Sequence, residues 1–94
     1  MKDIDLIIEK VNQILPDVGV WQPSKTYPSD DNGIWYFSLP DVKQSIQIES
    51  SYGLCPFIVE TDEQSSYDAR RASTIDEAVE MIVEYLESKR KSEI

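Results

Sequence analysis

A chain of 94 residues, 40% hydrophobic and 29% charged, has the make-up of one soluble domain around a single core, and no run in it approaches the roughly 20 apolar residues of a membrane helix. Nine Lys and Arg against 18 Asp and Glu give a net charge of −9, which argues against a nucleic-acid binder that neutralises phosphates and favours a basic partner protein. With no histidine and one cysteine, the chain can build neither a tetrahedral zinc site nor an internal disulfide, and no cofactor is implied.

The charge is spread evenly: residues 1–33, 34–73 and 74–94 each carry three basic and six acidic side chains, so the whole surface is mildly acidic. The N-terminal MKDIDLIIEK places acids inside its apolar segment, unlike a secretory signal, and the expected location is the cytoplasm. The lone cysteine agrees with a reducing compartment.

Asp3 is the expected N-cap of a first helix over Asp3 to Leu15, in which Ile4, Leu6, Ile7, Ile8, Val11, Ile14 and Leu15 follow at mostly helical spacing and make an apolar stripe. Pro16 ends it, because the residue before a proline avoids the α region. The stretch from Pro16 to Asn32, with three prolines, is mainly loop, with a short edge strand available over Gly19 to Gln22 and Trp21 as an anchor. Asn32-Gly33 is a turn signal. After it, Ile34 to Leu39 is a strand with Trp35, Phe37 and Leu39 on one face and Tyr36 on the other.

Pro40-Asp41 opens the next turn, and a second strand runs from about Val42 to Ser50, where Ile46 and Ile48 alternate with Gln47 and Glu49. Ser50 to Gly53 supplies turn chemistry, Gly53 being free to take a positive φ. The third strand is Cys55 to Glu60. Pro56 lacks an amide donor, so this strand either lies at an edge or begins its regular pairing after the proline. Thr61 to Ser73 is polar, shows neither period, and reads as a surface loop. Thr74-Ile75-Asp76-Glu77 matches a capping box, and Ile75, Ala78, Val79, Ile82, Val83 and Leu86 define the buried side of a second helix that ends near Lys89-Arg90-Lys91.

The expected fold is therefore α+β, a two-layer α-β-β-β-α domain: a three-stranded antiparallel meander with two helices packed on one face. The other sheet face is left uncovered, carrying residues such as Lys43, Gln47 and Glu49 with Tyr36 and Ile58. It is either wet or a contact surface, and it leaves room for a weak homodimer.

Five groups of residues are candidates for chemistry. Cys55 has no basic partner to activate it and reads as a packed side chain. The Asp30-Asp31-Asn32-Gly33 run fails as a calcium loop, because aligning Gly33 with the required glycine puts Pro28 and Leu39 at ligand positions. On the second helix Glu77, Glu80, Glu84 and Glu87 fall within about 80° of one another and form one acidic ridge without interleaved lysines. That ridge is either a solubilising face or a docking surface. Arg70-Arg71, and the aromatics Trp21, Tyr27, Tyr52 and Tyr67 in loops or turns, suit surface pairing and core lids as well as an interface.

Trp35 to Phe37, then IQIESSYGLCPFIVE, then Thr74 to Leu86 with its Asp-Glu-Ala-Val-Glu start, resembles a group of small, mostly uncharacterised bacterial stand-alone proteins, some of them similar to immunity proteins that neutralise a toxin by binding it. The resemblance covers about residues 34 to 86, and its most specific part is ESS-x-G-x-CPF at Glu49 to Phe57. It implies a non-enzymatic binder and brings no catalytic residue with it. Two functions follow as expectations. One is a protein-binding module, an immunity-type inhibitor of a basic partner, using Glu77, Glu80, Glu84, Glu87, Tyr36, Gln47 and Tyr52. The other is a small-ligand protein or enzyme with a pocket near Glu49, Tyr52, Cys55, Arg70 and Arg71.

Overall fold

Helical spacing of Ile4, Ile7 and Val11 gives α1 (Asp3–Ile14) its buried stripe in a computed structural model that describes residues 2–22, 32–51, 53–61 and 70–92. The N-cap is Lys2, one residue before the expected Asp3. Asp5 accepts the Lys2 N–H at 3.0 Å, so the first turn is capped from inside the helix. Asp3 is thereby left to reach across to the sheet.

Five strands follow: β1 (Gly19–Trp21), β2 (Asn32–Ser38), β3 (Ser45–Ser51), β4 (Phe57–Thr61) and β5 (Arg70–Ala72). They form one antiparallel sheet in chain order. Two edge strands thus extend the expected three-stranded meander. The short strand expected around Gly19 is β1, whereas β5 falls in a stretch expected to be loop, because a three-residue strand reading Arg-Arg-Ala has almost no apolar alternation to display. Of the rest of that stretch, residues 62–69 lie outside the described residues, as do Asp30 and Asp31.

Asn32 and Gly33 do not turn the chain; they pair with Ser51 and Ser50 inside β2. The glycine answers to packing, since a Cβ at Gly33 would lie 1.9 Å from the Trp35 ring, which covers that position. The second expected strand begins later, at Ser45, because Leu39 to Val42 is a turn in which the Val42 N–H reaches the Leu39 carbonyl at 3.2 Å. β4 begins directly after Pro56 and pairs on both sides, so the proline falls outside the ladder rather than at an edge.

α2 (Ile75–Ser92) starts as expected, the Glu77 N–H donating to Thr74 Oγ1 at 3.1 Å. Its buried residues Ala78, Val79, Ile82 and Leu86 join Ile4, Ile7 and Val11 of α1 in one core. The sheet contributes Phe37, Ile46, Ile48, Phe57, Val59 and Ala72 to the same core, all from one face by the strand register. Both helix stripes are therefore buried against that face, and each fully buried Ile, Leu or Phe contributes about 1.5–3 kcal/mol.

At one end the Ile4 N–H donates to the Gly53 carbonyl at 3.0 Å, and the Cys55 N–H donates to Asp3 Oδ2 at 2.8 Å. A helix N-terminus and a strand connection thus satisfy each other's orphan groups. At the other end Arg90 bonds Asp17 and Asp41, tying α2 to the turns after α1 and β2. No helix of the described residues is long and apolar enough to cross a membrane.

Candidate functional site

With both helices on one side, alternation along the strands sends a second set of side chains to the other side, which no described helix covers. The register orders them in two rows. Trp21, Tyr36, Gln47 and Glu60 lie opposite one another across β1 to β4, and Ile34, Glu49, Ile58 and Arg71 across β2 to β5. Trp21 stacks on Tyr36 with ring centroids 4.3 Å apart and planes within 10°. Gln47 Nε2 donates to Glu60 Oε2 at 3.1 Å. The stack and this bond are cross-strand pairs that hold the row in place.

Two large apolar groups on this face remain in solvent, Trp21 at 51% exposure and Ile58 at 46%. Trp21, expected to anchor its segment, is an edge-strand residue stacked on Tyr36 and about half exposed. Its signal was the alternation Gly-Val-Trp, with Val20 packed inward against the core. Lys43, expected on the face, lies in the connection before β3. Tyr52, with Tyr27 and Tyr67, lies outside the described residues.

The acidic ridge occupies a different surface. Glu77, Glu80 and Glu84 are exposed and Glu87 half-buried on α2, and none of the four makes an ion pair among the described residues. The expected partner-binding residues therefore divide in two, Tyr36 and Gln47 on the open face and the four glutamates on the helix side.

The expected pocket around Glu49, Cys55, Arg70 and Arg71 is not assembled. Glu49 and Arg71 are on the open face with Ile58 between them. Cys55 is half-buried where α1 begins. Burial pushes its thiol above the ordinary value, with the Asp3 carboxylate second and Glu77 a lesser cause. Arg70 turns to the helix side, where it lines a cleft with Glu84 between the sheet and α2. Among the described residues no group of three or more His, Cys, Asp or Glu could hold a metal ion.

That cleft was not visible in the sequence, because its apolar floor (Ile46, Val59, Met81) comes from three elements. Comparison with family models, with curated proteins and with solved structures gives no match for this chain.

Proposed function

We propose that this chain is an acidic, non-enzymatic protein-binding module that presents the uncovered face of its sheet to a basic partner protein, acting as an immunity-type inhibitor. The observation that carries the reading is the Trp21–Tyr36 stack on a sheet face that no described helix covers, with Ile58 exposed on the same face two strands from Tyr36. Trp and Tyr are among the residue types in which binding energy concentrates, and Gln47, Glu60, Glu49 and Arg71 supply polar groups on the same face. The net charge of −9 speeds encounter with a cationic protein and selects against acidic ones. The resemblance of residues 34–86 to small immunity-like proteins points the same way.

The test is titration by calorimetry of a basic protein recovered from the native host against wild type, Trp21→Ala and Ile58→Ser at two salt concentrations. Both side chains are about half exposed, so the variants keep the fold. Trp21→Ala is expected to weaken binding about tenfold or more, the loss typical of an aromatic anchor, and higher salt to weaken it further. Unchanged affinity in both variants overturns the open-face reading and transfers the interface to the ridge of Glu77, Glu80, Glu84 and Glu87, which a second observation favours: none of its charges has an ion-pair partner among the described residues.

A further inference from the structure

The cleft on the helix side of the sheet is independent of the open face. It has a volume of about 380 Å³, within the roughly 300–1,000 Å³ range of small-molecule sites. Ile46 of β3, Val59 of β4 and Met81 of α2 give it an apolar floor. Arg70 of β5 and Glu84 of α2 line it from opposite elements, yet the guanidinium and the carboxylate make no ion pair with each other. Thr61 Oγ1, also in the cleft wall, is buried without a hydrogen-bond partner among the described residues. Buried hydroxyls ordinarily have one.

We infer that this cleft binds a small zwitterion with an apolar body, an α-amino acid with a Leu-, Met- or Phe-sized side chain, its carboxylate toward Arg70 and its ammonium toward Glu84. A bare anion would face the Glu84 charge and a bare cation the Arg70 charge, so the two together select a ligand that carries both signs. Arg suits a carboxylate through its forked donors. The floor takes the side chain, and Thr61 Oγ1 is placed to bond one of the polar ends.

The experiment is an amide NMR titration of the whole chain with leucine, methionine and phenylalanine, and with N-acetyl-leucine and leucinamide, which each lack one charge. At least one free amino acid should give saturable shifts centred on Ile46, Val59, Thr61 and Met81. N-acetyl-leucine and leucinamide should bind about tenfold more weakly than leucine, the effect of one lost charge-assisted contact. Glu84→Gln should erase the advantage of leucine over N-acetyl-leucine, and Arg70→Gln its advantage over leucinamide. Both positions are exposed, so the fold survives either change. No saturation by about 10 mM with any of the three amino acids overturns the inference. So does equal binding of the singly charged forms, or a leucine affinity that neither substitution alters.

Discussion

The Asp3 carboxylate accepts the Cys55 amide at 2.8 Å and stands beside the Cys55 thiol, whose pKa is raised first by burial and then by that carboxylate. A raised thiol pKa means less thiolate at neutral pH than in a free cysteine, and the thiolate is the reactive form. Alkylation of the native protein should therefore be slow at pH 7 and accelerate only at a pH above that needed for free cysteine. Asp3→Asn keeps an acceptor for the amide but removes the charge, so labelling should speed up while remaining slower than in the unfolded chain, where burial is also gone. Labelling of wild type at the free-thiol rate would contradict the assignment of Cys55 as structural. The two glycines near this end show what a residue can and cannot disclose alone. Gly53 has φ +69°, the conformation that its Ser-Ser-Tyr-Gly setting suggested. Gly33 follows the same rule on paper, after an asparagine, but the Trp35 ring fills the space where its side chain would be, and that demand comes from two residues away on the same strand face.

Among the elements, the helices were the most legible, because a cap and a stripe are local signals. Thr74 Oγ1 accepts the Glu77 N–H at 3.1 Å, and replacing a capping threonine by alanine typically costs ~1 kcal/mol. Thr74→Ala should lower the urea midpoint by a corresponding amount, with Ser73→Ala, one residue outside the cap, doing less. Equal or reversed effects would move the helix start. The central strands were legible from alternation, with their ends shifted by the Leu39–Val42 turn and by Pro56. The edges were least so. β1 and β5 have three residues each, too short for a period of two to stand out, and what makes them strands is the row of backbone groups offered by β2 and β4. Of β5 only Ala72 is buried; its Arg70 and Arg71 point to opposite sides of the sheet, which is why two adjacent arginines in the sequence serve two unrelated surfaces.

At the scale of the whole molecule, the partition of side chains between two faces and a helix side turns one list of candidate residues into separate sites, and that partition depends on the sheet order rather than on any motif. It leaves like charges crowded along one side of α2, where Glu80 has Asp76, Glu77 and Glu84 at helical neighbour spacings. Asp76 is relieved by Lys10 at 3.0 Å, but Glu77 and Glu84 have no ion-pair partner among the described residues. Each like-charge pair at this spacing costs about 0.2–0.5 kcal/mol, and an opposite-charge pair returns a similar amount. Glu80→Lys reverses both pairs and should stabilise the free chain by about 1 kcal/mol at low ionic strength. The gain should shrink at 1 M salt, where the screening length falls to about 3 Å. Thermal or urea unfolding at the two salt concentrations measures it. The same variant discriminates the two docking surfaces. If the basic partner binds the open sheet face, Glu80→Lys acts only through the change in net charge from −9 to −7, slowing association modestly and leaving dissociation unchanged. If the ridge is the interface, dissociation accelerates too, because a contact in the complex has been lost, and the variant that strengthens the fold weakens the complex.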